Sequence, residues 1–262
     1  MSIIQVNNLS KNFGGIKACG NITFNVDEGQ IFGLIGPNGA GKTTIFNLIT
    51  GVYKVSGGEI LFDNKDITGQ RPDRIVKQGI SRTFQNIRLF NKLSVLDNVS
   101  IAVDLHNKYS LPEGFLRLPP TLKKEAAIKE KAMTFLAAVG LSHISAARAD
   151  SLPYGLQRKL EIARALALSP KVLLLDEPAA GMNPEESLEL AELIRKLHKQ
   201  YQITTLLIEH HMDVIMSICE KIFCMNFGEK LAEGTADEIQ VNPDVLKAYL
   251  GEGYKRVKNI ES

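Results

Sequence analysis

The chain has 262 residues, 44% of them hydrophobic, and 31 Lys and Arg against 29 Asp and Glu leave a formal net charge of +2. That balance argues against a nucleic-acid binder, which carries a dense basic face and a high isoelectric point, and the length buries enough surface to fold without disulfide or metal. The 3 cysteines, Cys19, Cys219 and Cys224, fit neither a disulfide framework nor a zinc spacing, so a reducing cytoplasm is the expected setting. The opening MSIIQVNNLSKNF lacks the charged and apolar regions of a secretory signal, and no apolar run reaches the roughly 18 residues of a bilayer span.

In chain order, alternating apolar residues at Ile4 and Val6 and again at Ile22, Phe24 and Val26 predict two half-buried antiparallel strands joined through residues 11–20. Residues 30–35 form a short apolar run that breaks into a glycine-rich loop and continues as a helix. A further strand is expected at 59–62 and a helix from Pro72 to about Gln78. From about Asn86 to Ala167 helical periodicity dominates, with Ser94 and Asp97 spaced as a capping pair. Pro112, Gly114, Pro119 and Pro120 predict an irregular, mobile connection within 105–121. Strand character returns at 172–175 and 204–209. Between these, Asn183 is positioned to cap a helix whose first residues, Pro184, Glu185 and Glu186, suit a helix start.

Gly36-Pro37-Asn38-Gly39-Ala40-Gly41-Lys42-Thr43 fits the G-x-x-x-x-G-K-[ST] phosphate loop completely, and Thr44 follows it into the helix. Glycines let backbone amides turn toward phosphate without a Cβ in the way, and the helix adds its positive end. Lys42 is expected to reach the β- and γ-phosphates and the Thr43 hydroxyl to ligate Mg²⁺. Asp176 and Glu177 close the apolar run 172–175, where a doubly wound sheet exposes its ligand site. Asp176 suits the Mg²⁺ sphere and Glu177 suits polarising water. The two elements together point to Mg-dependent nucleotide hydrolysis.

The chain resembles the ATP-binding subunits of ABC transporters, because further motifs of that family follow in order across nearly all of it. Thr83-Phe84-Gln85-Asn86 is similar to the Q-loop, whose glutamine joins the metal and water site to the helical lobe. Leu152-Pro153-Tyr154-Gly155-Leu156-Gln157 stands where the family has LSGGQ. Leu152 and Gly155 fit, Pro153 replaces the serine, Tyr154 the first glycine and Leu156 the glutamine, with Gln157 one place later and a helix expected to begin near it. Asn183 sits at the D-loop aspartate, and His210 resembles the H-loop switch that contacts the γ-phosphate. His211 reads better as an exposed helix-start residue, and His106, His143 and His198 as surface residues. Phe13 is similar to the A-loop aromatic that stacks on adenine, with core packing as the rival role.

The resemblance implies an α/β fold: a P-loop NTPase (RecA-like) core at 1–85 and 169–250 with an N-terminal antiparallel β layer, an inserted α-helical lobe at 86–168 and a polar tail at 251–262, together one ATPase domain. It implies ATP and Mg²⁺ as ligands, and catalytic roles for Glu177, His210 and Gln85, with Gln85 also near the metal. It further implies a second ATP-binding subunit, identical or merely similar, whose signature segment completes each site. Transmembrane permease subunits would dock near Gln85 and Phe90, placing the chain at the cytoplasmic face of the cell membrane, with a periplasmic solute-binding protein as an indirect partner. Core packing is the equal rival role for Leu89 and Phe90. ISRTFQNIRLFNKLSVLDNV, DEPAAGMNP, IEHHMDVIM and AYLGEG resemble the ATPases of branched-chain amino acid uptake. Urea-uptake and lipopolysaccharide-export ATPases, a non-transport ABC ATPase and a silent regulatory subunit are the alternatives.

Overall fold

In the computed structural model, residues 1–105 and 119–250 are described; His106, most of the Pro-rich connection and the polar tail lie outside the described residues. A four-stranded antiparallel sheet comes first, built from β1 (Ser2–Phe13), β2 (Ile16–Asp27), β4 (Gly57–Phe62) and β5 (Lys65–Asp66) in the order β2-β1-β4-β5. The first two strands run far longer than the alternation alone predicts. Only Gly14 and Gly15 separate them, with Phe13 paired to Ile16, so residues 11–20 are ladder rather than linker. Gly14 takes φ +56°, a value that a two-residue hairpin turn needs and glycine supplies without strain.

The second sheet has six strands: β3 (Ile31–Ile35), β6 (Ile80–Arg82), β7 (Val172–Asp176), β8 (Thr204–Ile208), β9 (Lys221–Asn226) and β10 (Glu229–Gly234), ordered β10-β9-β3-β8-β7-β6. All its neighbours are parallel except the β9–β10 hairpin. Both faces are covered, which is why these strands read as continuous apolar runs. Phe32, Leu34, Val172, Leu174, Leu206 and Ile208 pack toward the antiparallel sheet, while Ile31, Ile35, Leu173, Leu175 and Leu207 pack toward helices. Burying each such side chain contributes about 1.5–3 kcal/mol.

The helices are α1 (Lys42–Ile49), α2 (Pro72–Gln78), α3 (Val95–Asp104), α4 (Pro119–Ala138), α5 (Tyr154–Ala167), α6 (Pro184–Tyr201), α7 (Met212–Ile218), α8 (Ala236–Gln240) and α9 (Pro243–Leu250). Pro119 and Pro120 open α4 instead of stopping a helix, because the first turn needs no amide donors. The inserted helices α3, α4 and α5 share one continuous apolar cluster with α6, α7 and a face of the six-stranded sheet. The lobe is therefore clamped to the sheet by common packing.

Ser94 caps α3, its hydroxyl accepting the Asp97 amide and donating to the Asp97 carboxylate. Asn183 caps α6 in a reciprocal box with Glu186, so the register of the loop after β7 is set by a local sequence signal. His198 is a correction to the surface assignment. It lies on the inner face of α6, 9% exposed, and burial pushes its imidazole below the ordinary range. No helix among the described residues is long and apolar enough to cross a membrane.

Candidate functional site

Parallel strands β3, β8 and β7 are neighbours, so the loops leaving their carboxyl ends converge at one edge. The loop after β3 carries the sequence that fits the phosphate-loop pattern. Gly36 has φ +148°, and a Cβ there would lie 2.2 Å from the Met225 carbonyl oxygen; Gly41, at φ +101°, would meet the Ala18 carbonyl at 2.6 Å. Glycine is required at both points. Lys42 is 5% exposed and turns its ammonium onto the loop itself, donating to Gly36 O at 2.7 Å and Pro37 O at 3.0 Å. Burial lowers its proton affinity, opposed by the charges of Glu177 and Asp176.

Asn38 through Thr44 share a cleft of about 610 Å³ with Gln85, Glu177 and His210. Glu177 is held from both sides: Gln85 Nε2 donates to Oε2 at 2.8 Å, and His210 Nε2 lies 2.8 Å from Oε1. Its backbone has φ +48°, a left-handed conformation that a glutamate adopts at a cost in strain. Its amide donates to Ile208 O at the end of β8. Asp176 stands one residue earlier and 1% exposed. Arg82 donates to its Oδ2 at 2.7 Å, and Oδ1 is buried without a hydrogen-bond partner. Burial raises the Asp176 carboxyl even against the pull of Arg82.

Four charged residues that motif spacing does not mark tie these loops together. Arg82 also donates to Asn47 on α1 and to Thr50 at its C-cap and packs between the rings of Phe46 and Phe84. Arg158, wholly buried on α5, donates to the carbonyls of Phe84 and Gln85, to Glu161 and to the Tyr154 hydroxyl. Glu161 in turn accepts the Phe84 and Arg88 amides, its carboxyl pushed up by burial. Glu209 accepts the amides of Ala179 at 2.6 Å and His210 at 3.0 Å, stapling the loop after β7 to the loop after β8. The available sequence signal was charge inside or directly after apolar runs, where a buried charge must find partners.

The signature segment is elsewhere. Leu152 is buried, and α5 starts at Tyr154 with Pro153 as its N-cap, three residues before the expected start near Gln157, because the Pro153 carbonyl already accepts the Leu156 and Gln157 amides. Gln157 closes the loop through its bond to Leu152 O. Pro153, Gly155 and Leu156 line a separate depression with Met182 and the start of α6, the helix that Asn183 caps. None of the six lines the phosphate cleft.

Phe13 sits at the β1–β2 turn, 42% exposed, edge-on to Tyr53 at 5.1 Å with the Lys11 ammonium 4.8 Å from its ring centre. It is not core. The cleft wall on that side is Ile16, Lys17 and Ala18, faced by Phe227 and Gly228 of the β9–β10 turn; Phe227, 88% exposed, is an aromatic that no sequence pattern singled out. His211 begins α7 as its N-cap and approaches Glu209 at 3.3 Å.

The family model described as "ABC transporter" matches residues 19–180, and that for "Branched-chain amino acid ATP-binding cassette transporter" matches 229–255. The high-affinity branched-chain amino acid transport ATP-binding protein LivG of Salmonella typhimurium is 44% identical over 250 residues, covering 95% of this chain and 98% of its own. Among solved structures, the ADP conformation of MJ1267, an ATP-binding cassette of an ABC transporter, superposes with a TM-score of 0.83 at 34% identity, over 96% of this chain and all of that one. The dimeric structure of MJ0796, a bacterial ABC transporter cassette, gives 0.76 at 25% identity, over 89% and 98%. The phosphate loop, the paired acids and the helical lobe sit on the cassette fold throughout, and the chain belongs to the ABC transporter ATP-binding subunits, in the branch of the branched-chain amino acid cassettes.

Proposed function

We propose that this chain hydrolyses ATP to drive branched-chain amino acid import through separate permease subunits. The observation that carries the reading is the Glu177 carboxylate, gripped by Gln85 and His210 inside the cleft that the phosphate loop lines. A carboxylate so placed accepts a hydrogen bond from an attacking water and orients it toward the γ-phosphorus, after which the bond to the β–γ bridging oxygen breaks to release ADP and phosphate.

Lys42 exchanges the Gly36 and Pro37 carbonyls for phosphate oxygens, and the amides of 39–44 together with the α1 N-terminus hold the remaining phosphate charge. His210 contacts the γ-phosphate and, through Glu177, reports its presence. Thr43, Gln85 and Asp176 would hold Mg²⁺ through oxygen atoms, the donor type that ion prefers, and the buried Oδ1 of Asp176, which has no hydrogen-bond partner, suits that role. When bound, the ion would supply neutralisation of the β- and γ-phosphate charge.

Phe13 stacks on the adenine. Leu152 to Gln157 and Asn183 lie outside the phosphate cleft and serve a second subunit's ATP, so that two chains enclose two nucleotides and part after hydrolysis. Pro153 leaves the Gly155 amide and the α5 N-terminus to receive the γ-phosphate in place of a serine hydroxyl. The permease dock is a groove of about 510 Å³ where Phe90, Ile101 and Leu105 stand exposed beside Arg88 and Arg164, while Leu89 packs on the core. Its neighbours Arg82 and Glu161 contact Asp176 and the Phe84 amide, which links the dock to the cleft. The chain thus works at the cytoplasmic membrane face, with a periplasmic binding protein delivering solute to the permeases.

The test is uptake of labelled leucine by cells lacking the chain. Wild type restores uptake and Glu177→Gln does not; unchanged uptake in the deletion overturns the substrate assignment, and full uptake with Glu177→Gln overturns the role of that carboxylate.

A further inference from the structure

Gly36, the residue on which β3 turns into the phosphate loop, is held at both ends of its backbone. Its carbonyl accepts the Lys42 ammonium at 2.7 Å, and its amide donates to the Tyr249 hydroxyl at 2.7 Å. Tyr249 lies 213 positions away on α9, near the C-terminal limit of the described chain, and α9 packs on β10 and α8. The ring packs against the large apolar cluster. Burial pushes its phenol well above the ordinary range, so the hydroxyl stays neutral and accepts at every working pH. The amide it receives belongs to a glycine at φ +148°, where a Cβ would lie 2.2 Å from the Met225 carbonyl oxygen, so no side chain can fill the space beside β9 and the restraint on this peptide falls to its hydrogen bonds.

We propose that Tyr249 is a positioning residue for nucleotide binding, fixing the first peptide of the phosphate loop so that Lys42 can release the Gly36 carbonyl without the loop collapsing into the space it leaves. Before nucleotide arrives, Lys42 and Tyr249 share the restraint of Gly36. Once the lysine turns to phosphate, the tyrosine alone retains it. This gives the C-terminal segment that matches the branched-chain cassette model, residues 229–255, a mechanical part in the ATP site. The inference rests on the phosphate cleft being the nucleotide site.

The test is Tyr249→Phe in the full chain, which keeps the ring and removes only the acceptor. Equilibrium binding of a fluorescent ADP analogue, without turnover, is read beside hydrogen exchange at the Gly36 amide and the thermal midpoint. We expect the Kd to rise about threefold to tenfold, as an unpaired buried amide implies, with faster exchange at Gly36 and KM raised more than kcat is changed. Wild-type Kd and Gly36 exchange in Tyr249→Phe, with losses only in Tyr249→Ala, overturn the proposal and leave the ring as packing. Failure of the wild-type chain to bind the analogue overturns the nucleotide-site reading itself, a separate result.

Discussion

Arg82 and Asp176 form an ion pair at 2.7 Å with both side chains 5% exposed or less, spanning β6 to β7 under the cleft. One oxygen of the carboxylate is occupied by the guanidinium and the other has no partner. The arginine also reaches α1 through Asn47 and the C-cap Thr50, so three elements of the site depend on one buried cation.

Removing one member of a buried pair strands the other charge. Arg82→Met is therefore expected to lower unfolding free energy by about 3–5 kcal/mol, measured by urea denaturation. The double variant Arg82→Met with Asp176→Leu should recover part of that loss, since no charge is left unpaired. A single-variant loss under about 1 kcal/mol would show that water or a neighbour already compensates.

Glu177→Gln keeps an acceptor for Gln85 and loses the negative charge. Turnover should fall by about 100-fold or more, while equilibrium binding of ATP stays near wild type and the nucleotide-bound dimer accumulates in size-exclusion chromatography. Full turnover would move the water-orienting role to another residue.

Pro153 caps α5 without a side-chain hydrogen bond. A serine there can accept a first-turn amide, a gain of about 0.5–2 kcal/mol, and frees the unfolded chain by losing the ring, a cost of about 0.4–1 kcal/mol. The two nearly cancel, so Pro153→Ser should keep the thermal midpoint close to wild type and ATPase at or above it. A fall in turnover of about tenfold or more would show that the proline itself sets the helix entry.

His198 is buried and its folded-state affinity for protons is depressed, first by burial. The unfolded chain then binds more protons at this position than the native one, so stability rises with pH. The contribution is complete above the ordinary imidazole value of about 6.5 and is lost progressively as pH falls from there through the lower native value. The thermal midpoint should drop between about pH 7.5 and 5.5, and His198→Leu should show a shallower drop; equal slopes would refute the assignment.

Much of the site was legible because its chemistry is local. The phosphate loop needs glycine at fixed offsets, Asp176 and Glu177 follow an apolar strand directly, and Asn183 caps α6 with Glu186 three residues on. Each signal is carried by neighbours in the chain, so spacing alone reveals it. The antiparallel hairpin is as the alternation predicts, but its strands extend to Phe13 and Ile16, since the exposed residues near Gly14 do not alternate even though they pair. Helix α5 starts three residues before its sequence suggests because the Pro153 carbonyl, a backbone group with no signature, opens it.

Contiguous motifs carry the order of the elements and the family, and they point to the nucleotide chemistry. Folding brings Gln85 and His210 onto the two oxygens of Glu177, buries Arg82 and Arg158 as ties rather than surface charge, places His198 inside and carries Tyr249 to Gly36. These contacts join residues 33 to 213 positions apart. Such pairings depend on the burial and strand order of the whole sheet, which closes long loops at little extra entropy per added residue and leaves no mark in local spacing.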